Sequence, residues 1–213
     1  MINYPNPSIK IQNQSSGVDL LISKIQQKLQ LLTWLQSAFG RALVQTELTT
    51  VAQQGATIKN PTDVRLKPIQ TTYPEGIDLK GEAFNLMPND NLKSYCFFIV
   101  RDPTTYPNAD FADAQQVCTS PISIIFWANI SKTEPNQDIR VNEKYKADVI
   151  KVLKQFPDFL LKKSFDSFPQ VFDLFTLGET YRYYMKKPYI AFRIDGELTY
   201  TAFLQNNCQI DPV

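Results

Sequence analysis

The sequence contains no histidine. Imidazole is the side chain that enzymes use most often as a general acid or base near neutral pH. Its absence excludes Ser–His–Asp and Cys–His catalytic sites in their usual form, and also every zinc site that needs a histidine ligand. The GxGxxG, GxxxxGK(S/T) and GxSxG patterns of nucleotide-binding and hydrolase sites are absent too. We therefore predict that the protein is not an enzyme and holds no cofactor or metal ion.

Cysteine and glycine are scarce. The three cysteines, Cys96, Cys118 and Cys208, lie far apart and form no CxxC pair. An odd number of scattered cysteines argues against a disulfide framework and favours a reducing compartment. We expect Cys96 and Cys118 to pack as small apolar side chains. The seven glycines leave few positions for loops that cradle phosphate groups.

Long apolar runs and an excess of one charge are missing as well. The longest nearly apolar run covers residues 122–130, about half of what a membrane-spanning helix needs. The first residues have neither the basic nor the apolar region of a secretory leader. The 22 basic and 21 acidic residues give a formal net charge of +1, so there is no general attraction to nucleic acid or anionic lipid. These features predict a soluble, non-secreted protein without membrane contact.

The sequence does contain enough apolar material for one core. Apolar residues make up 43% of the 213 and aromatic residues 12%, so we expect a single domain over residues 1–213. Residues 1–15 are predicted to form an extended arm, because Pro5 and Pro7 disfavour helix at the residues before them. Between residues 49 and 94 the periodicity weakens and prolines recur, which predicts an insertion or long loop that reaches outward.

Two segments have the spacing of amphipathic helices. Over residues 17–32, apolar side chains recur at positions such as Leu21 and Ile25, with lysine and glutamine between them. Over residues 142–156, Tyr145 lies on a predicted apolar face and lysines lie on the other. Each helix is therefore expected to bury one face against a sheet.

Three further segments predict strands. Residues 38–48 are rich in the residue types that suit a pleated surface. Residues 95–101 and 121–131 are nearly continuous apolar runs, which are typical of central strands covered by other elements. The element order predicts an α+β fold, in which an antiparallel or mixed β-sheet is packed on one face by the two amphipathic helices.

The segment 186–204, KKPYIAFRIDGELTYTAFL, predicts a β-hairpin, because Asp-Gly between alternating residues is a strong hairpin signal. A two-residue turn would mix apolar and polar side chains on each face. A three-residue loop of Ile194, Asp195 and Gly196, with Gly196 in a left-handed bulge position, separates them. We therefore predict the three-residue turn.

The predicted hairpin has an apolar face and a polar face. The apolar face, which includes Phe192 and Leu198, is expected to complete the sheet under the two helices. On the polar face Arg193 lies opposite Glu197. We expect this polar face to be exposed or to meet another subunit.

Two basic stretches are candidates for lining a DNA channel or a protein interface. One holds Lys162 and Lys163, and the other, YRYYMKKPY, holds Arg182, Lys186 and Lys187 among tyrosines. Tyrosines stack on bases while lysines hold phosphates, so a platform for single-stranded nucleic acid is one interpretation. The other is an edge strand whose tyrosines pack inward and whose lysines deter aggregation. The balanced net charge favours the second interpretation.

Paired carboxylates are the remaining candidates for chemistry. Asp110 and Asp113 lie three residues apart, and such a pair can act in a glycosidase or hold Mg²⁺. We favour solvated loop charges and helix caps as their role. Two alternative functions stay open beside a structural one: a small carboxylate-dependent, Mg²⁺-assisted enzyme and a single-stranded nucleic-acid-binding module.

The order of these segments resembles a known family. The helix VDLLISKIQQKLQLL, the strand FGRALVQTEL, the helix EKYKADVIKVLKQF and the closing segment PYIAFRIDGELTYTAF are similar in order and texture to the small α+β proteins of bacteriophage necks. These are the tail-terminator and head–tail joining ring proteins, including those of crAss-like phages of gut Bacteroides. The resemblance covers most of the chain outside the insertion.

The resemblance implies a structural virion protein that is assembled in the cytoplasm of the host bacterium. Closed rings use head-to-tail contacts between neighbours, and six or twelve copies would form such a ring around the channel for double-stranded DNA. The ring would join portal to tail, with portal, neck and tail proteins as partners and only non-specific proximity to the genome. We expect the arm and the insertion to carry the contacts between subunits.

Overall fold

The computed structural model describes residues 17–52, 66–77, 83–88, 91–101, 104–105, 115–134, 141–176, 181 and 183–203. The predicted arm, residues 1–15, and the middle of the predicted insertion, residues 53–65, lie outside the described residues. The helices are α1 (Val18–Leu29), α2 (Ile130–Thr133), α3 (Val141–Leu153) and α4 (Phe168–Val171), with a 3₁₀ turn at Tyr183–Met185. The strands are β1 (Ser37–Arg41), β2 (Leu43–Ala52), β3 (Leu66–Ile77), β4 (Ala83–Asn85), β5 (Ser94–Val100), β6 (Gln115–Asn129), β7 (Phe159–Phe165) and β8 (Tyr189–Phe203). No helix within the described ranges has the length and apolar character needed to cross a membrane.

The strands form two sheets. In the larger sheet they lie in the order β1-β5-β6-β8-β7, with β1 parallel to β5 and all other neighbours antiparallel. The smaller sheet has the order β2-β3-β4 and is antiparallel. A mixed sheet, an antiparallel sheet and a few helices confirm the predicted α+β class.

The two predicted amphipathic helices pack on the same face of the large sheet, as expected. Ile25 and Leu29 of α1 and Val149 of α3 are fully buried. They share one core with even-numbered side chains of the central strands, such as Phe126 in β6 and Phe192 in β8. Full burial of one such side chain stabilises a fold by roughly 1.5–3 kcal/mol, so this face holds the helices in place.

The opposite face of the large sheet is covered by aromatic side chains. Tyr95 and Trp127 stack on this face with 5.4 Å between their ring centroids. Phe39 in β1 and Phe172, which follows α4, are buried in the same cluster. β5 and the second half of β6 are apolar almost throughout, which is typical of strands that are covered on both faces.

The predicted strand over residues 38–48 is two strands. β1 and β2 are separated by Ala42, whose N–H donates to the carbonyl of Phe98 at 2.8 Å. β1 stays in the large sheet beside β5, while β2 leaves it and enters the small sheet. The predicted segment therefore links the two sheets.

The predicted insertion over residues 49–94 contains paired strands in its described part rather than a long loop. β2 and β3 pair over ten residues, from Leu43 opposite Glu75 to Ala52 opposite Leu66. The short strand β4 pairs with the end of β3. The small sheet is therefore a long two-stranded ribbon with a third strand at its base.

The predicted hairpin over residues 186–204 is wrong. Residues 189–203 form one continuous strand, β8, and all 15 of them pair with β6. Ile194, Asp195 and Gly196, the predicted turn, lie in the middle of β8 and pair with β7 on its other side. Among the described glycines a positive φ occurs at Gly17, so Gly196 does not take the left-handed conformation that the predicted bulge requires.

Side-chain alternation could not distinguish the hairpin from the straight strand. A three-residue loop places even-numbered residues of both arms on one face, so Phe192 and Leu198 share a face in either structure. The flanking strands decide between them, because β6 and β7 pair with β8 on its two sides. Gly196 serves a close approach instead of a turn, since a Cβ there would lie 2.5 Å from Cζ of Phe159 in β7.

Candidate interaction surface

The outer edge of β7 is the main candidate for contact with another chain. β7 is the last strand of the large sheet, and no other described strand pairs with its outer side. Its side chains from Leu160 to Ser164 are exposed, including 56% of Leu160 and 38% of Leu161. An edge strand presents a row of backbone N–H and C=O groups that can pair with another strand. β7 therefore combines available backbone groups with exposed aliphatic side chains.

Two contacts and a β-bulge fix the position of β7 on the sheet. At its start the ring of Phe159 packs over Gly196, where no side chain intervenes. In its middle the register shifts between Leu161 and Lys163, which leaves Lys162 as an extra residue. At its end Asp166 accepts a hydrogen bond of 2.8 Å from Nζ of Lys146 in α3. The shape of this edge is therefore set by the fold.

Lys146 is a buried cation with two carboxylate partners. Its side chain is 11% exposed, and its Nζ lies 2.9 Å from Glu143 and 2.8 Å from Asp166. Burial by itself lowers the pKa of Lys146, but the hydrogen bonds to Asp166 and Glu143 outweigh it and raise the pKa above the ordinary 10.5. The ammonium group is therefore charged when it anchors the end of β7 to α3.

The opposite edge of the large sheet, at β1, is closed by side chains of α1. Nε2 of Gln26 donates to the carbonyl of Ala38 at 2.7 Å, and the N–H of Ala38 donates to Oε1 of Gln30 at 2.8 Å. Gln30 follows the last residue of α1 and keeps helical backbone angles, so it projects from the same face as Gln26, four residues earlier. The two glutamines thus occupy the backbone donor and acceptor that a further strand would use at Ala38.

The outer edge of β2 in the small sheet resembles that of β7. β2 lies at the end of the strand order, with no further described strand beyond it. Leu43 and Val44 at its start are 50% and 47% exposed. Beside them Gln45 donates to Glu75 of β3 at 2.9 Å. The described chain thus has two strand edges with a neighbouring pair of exposed aliphatic side chains.

The predicted basic residues fall into two separate groups. Lys162 and Lys163 are exposed on β7, and Nζ of Lys162 lies 3.1 Å from Oε2 of Glu197. Lys186 and Lys187 are exposed just before β8, and Arg182 lies outside the described residues. Lys163 pairs opposite Asp195, six residues along β8 from Tyr189, and a strand of that length spans about 20 Å. The two groups therefore do not form one basic patch.

Most of the tyrosines in the second basic stretch pack inward. The rings of Tyr184 and Tyr189 both contact Trp127 on the aromatic face of the sheet. Tyr183 is 59% exposed, and Nζ of Lys186 lies 5.6 Å from the centroid of its ring. Among the described residues of this stretch, Tyr183 with Lys186 is thus the part that fits base stacking.

The burial of Arg193 contradicts the prediction that the polar face of the C-terminal segment is exposed. Its side chain is 2% exposed, and its guanidinium lies 4.3 Å from the centroid of Phe165. It pairs with Asp173 and donates to Oδ2 of Asp195 at 3.3 Å. The predicted partner Glu197 pairs with Lys162 instead. The buried charge is therefore compensated, as a buried arginine requires.

The cluster around Arg193 is the feature that sequence reasoning missed. Arg193 also donates to the carbonyl of Gln170 in α4, so it ties the segment after β7 to the sheet. Arg193 and Asp195 lie two residues apart, which puts both on one face of a strand. The spacing predicts an Arg193–Asp195 ion pair only if the strand continues through both residues. The predicted turn, which includes Ile194 and Asp195, therefore excluded this pair.

The carboxylates and cysteines offer little chemistry in the described part of the chain. Asp110 and Asp113 lie outside it, and it holds no group of three or more histidine, cysteine, aspartate or glutamate residues placed to bind a metal ion. Cys96 and Cys118 are buried, as expected for small apolar side chains. Burial raises the pKa of the Cys96 thiol well above its ordinary value, so this thiol stays protonated near neutral pH.

Comparison with known proteins adds no family to this description. No protein-family model and no curated protein sequence matches the chain.

Proposed function

We propose that this protein is a structural subunit that works by assembling with other chains. The asymmetry of its sheet edges carries the proposal. Two glutamines close the edge at β1, whereas the outer edges of β7 and β2 have no strand partner among the described residues and expose aliphatic side chains. Proteins that act alone usually cover or disrupt such edges, and assemblies use them for strand addition.

The resemblance to bacteriophage neck proteins gives the proposal its biological setting. The subunit is a tail-terminator or head–tail joining protein that joins portal to tail, and its place is the virion. Neighbours in a ring meet through different surfaces, so six or twelve copies around the DNA channel need a head-to-tail contact. Two unlike strand edges on one subunit meet that need. No catalytic step or cofactor enters this proposal.

Mass measurement tests the proposed function. Sedimentation of the purified chain, alone and mixed with candidate portal, neck or tail proteins, is expected to give a closed complex of fixed copy number. A chain that stays monomeric and binds none of these virion proteins would contradict the proposal. The genes beside its own are a second test, because portal, capsid or tail genes are expected there.

Contact with nucleic acid is the alternative that one observation favours. Tyr183 and Lys186 together present an exposed ring and an ammonium group. A single-strand-binding module would lose affinity steeply with salt, because bound phosphates release counterions. Replacing Lys186 and Lys187 with alanine would then flatten the salt dependence. In the ring proposal the same substitutions leave assembly intact, because neither lysine belongs to β2 or β7.

A further inference from the structure

We propose that β2 of one copy pairs with the outer edge of β7 of the next copy. This inference rests on the proposed function and names the surfaces through which the subunits meet. It joins the small sheet of one subunit to the large sheet of its neighbour. The partner at each edge is therefore a second copy of this chain.

The large sheet can be extended by a strand at β7 but not at β1. At β1 the backbone of Ala38 is already bonded on both its donor and its acceptor by Gln26 and Gln30. At β7 the backbone pairs with β8 on one side, and the other side has no described strand partner. The N–H of Phe159 at the start of β7 already donates to the carbonyl of Phe156 at 3.1 Å. A strand added beyond it gains backbone hydrogen bonds without displacing a described protein group.

The exposed side chains of the two edges match each other. Leu160 and Leu161 are consecutive in β7, and Leu43 and Val44 are consecutive in β2. Successive side chains of a strand point to opposite faces, so each edge offers one aliphatic group on each face. Paired edges would cover aliphatic groups on both faces at once, and cross-strand pairs of this kind stabilise sheets.

The β7 edge carries lysines, whereas Glu75 on β3 and Arg41 before β2 place both signs of charge close to the β2 edge. Lys162 and Lys163 follow the exposed leucines of β7, and Glu75 pairs opposite Leu43 beside the β2 edge. Opposite charges at the rim of an interface favour one register and one partner over others. Two edges of the same type would instead bring like charges together, which disfavours a symmetric contact between two β7 strands.

Lysines and a bulge also deter indiscriminate pairing at β7. The register shift follows Leu161 and interrupts the regular part of the edge. The N–H of Phe159 is bonded to Phe156, so Leu160 and Leu161 are the part that accepts a strand. Lysines on an edge oppose uncontrolled aggregation. These features limit what pairs with β7 and leave a short specific contact. A contact between two different edges is heterologous, and repeated around an axis it closes a ring.

Disulfide trapping between two populations tests the inference. One population carries Leu43→Cys or Val44→Cys and the other Leu160→Cys or Leu161→Cys, all in a Cys208→Ser background. Cα atoms of directly opposed residues in a sheet lie about 4.5–5.5 Å apart, which is within disulfide range. At least one of the mixed pairs should form a cross-linked dimer under mild oxidation, and each population alone should not. Leu31→Cys, on an exposed leucine beyond the end of α1, is the matched control.

A charge substitution gives a second measurement. Leu160→Lys should weaken self-association by about tenfold or more, corresponding to about 1.4 kcal/mol, while Leu31→Lys leaves it unchanged. Thermal unfolding of each variant checks that its fold is intact.

Three results would overturn the inference, and they bear differently on the proposed function. Closed complexes without any mixed cross-link would show that subunits meet elsewhere, and the proposed function would survive. A chain that is monomeric alone but joins portal or tail proteins would also leave the function standing without this contact. A monomer that binds nothing would contradict both.

Discussion

The two edges of the large sheet meet their surroundings in different ways. At β1, Gln26 of α1 and Gln30 after it bond the backbone of Ala38 from outside the sheet. At β7, the exposed side chains are two leucines, two lysines and a serine. Apart from the bond of Phe159 N–H to Phe156, no described strand or helix bonds the outer backbone. The same sheet therefore has one edge that is closed by its own helix and one that is available to a partner.

The difference shows that closing a sheet edge is a tertiary property rather than a property of the edge strand. β1 is closed because α1 lies beside it and places amide groups within reach of the backbone. β7 lies at the other end of the strand order, beside β8. On its outer edge a bulge and lysines are the features that oppose pairing with a further strand. A closed edge prevents the addition of a strand, and an open edge permits it.

The largest expected effect comes from filling the space under β7. In Gly196→Ala the new Cβ would lie 2.5 Å from Cζ of Phe159 and 2.7 Å from the carbonyl oxygen of Leu160. The second atom belongs to the backbone, so β7 must move away from β8. We expect the free energy of unfolding to fall by about 3 kcal/mol, at the upper end for overpacked sites. Urea denaturation measures it.

The control for this substitution is Thr199→Ala, an exposed position on the same strand. It should change the free energy of unfolding by less than about 0.5 kcal/mol. If Gly196→Ala were as harmless as the control, the edge strand would not be fixed by its contact with β8. The open edge would then differ from the closed one in rigidity as well as in pairing.

The next effect comes from removing a glutamine that closes β1. In Gln26→Leu a side chain of similar size fills the buried site, but the carbonyl of Ala38 loses its hydrogen-bond donor. A buried acceptor without a partner costs about 1–3 kcal/mol, so we expect a loss near 2 kcal/mol in urea denaturation. Gln27→Ala, on the exposed face of α1, is the matched control. An equal effect of both substitutions would mean that the glutamine bond does not close the edge.

The sequence predicted the elements whose pattern is strong and local. α1 and α3 were placed correctly, because apolar side chains recur at helical spacing over more than three turns. The prediction covered β5 and residues 121–129 of β6, because these residues are apolar on both faces. It missed the more polar first part of β6, residues 115–120. From these elements the α+β class and the helix-covered face followed.

The ribbon of β2 and β3 was missed because prolines and weak alternation hid it. Pro68 and Pro74 both pair with β2, and proline normally argues against a strand because it lacks an N–H group. The two prolines lie six residues apart, so both missing N–H groups face the same edge of β3. That edge pairs with β4 only from Glu75 to Ile77, and the prolines therefore interrupt no pairing there.

The candidate surface was only partly predictable. Lys162 and Lys163 were named, but their place on an open edge depends on β7 pairing with β8. The bonds of Gln26 and Gln30 to Ala38 depend on how α1 packs beside β1. The spacing of these residues in the sequence does not indicate which of them pair. Such contacts can therefore be identified only from the tertiary structure.

A smaller effect is expected where β7 is anchored to α3. Lys146→Met keeps the apolar stem but removes the hydrogen bonds to Asp166 and Glu143. Because both carboxylates are largely exposed, we expect a loss of about 1 kcal/mol at neutral pH. Asp166→Asn should give part of the same loss.

The pH dependence of stability separates this anchor from simple packing. The folded pKa of Lys146 is raised above 10.5, so its contribution is complete below that pH and is lost as pH rises through the folded pKa. The difference between wild type and Lys146→Met should therefore be constant up to about pH 10 and shrink above it. A difference that did not shrink would assign the loss to packing.

The smallest effect is expected for the ion pair on the open edge itself. Lys162 and Glu197 are 43% and 37% exposed and lie 3.1 Å apart. Exposed pairs of this kind contribute little, so Lys162→Ala should change the free energy of unfolding by less than about 0.5 kcal/mol. Its effect on self-association should be larger than its effect on stability, because the same lysine lies at the rim of the proposed contact. Measuring both quantities on one variant separates a residue that holds the edge together from one that meets a partner. If Lys162→Ala lowered the free energy of unfolding more than the free energy of self-association, Lys162 would be a residue that stabilises the edge within one subunit.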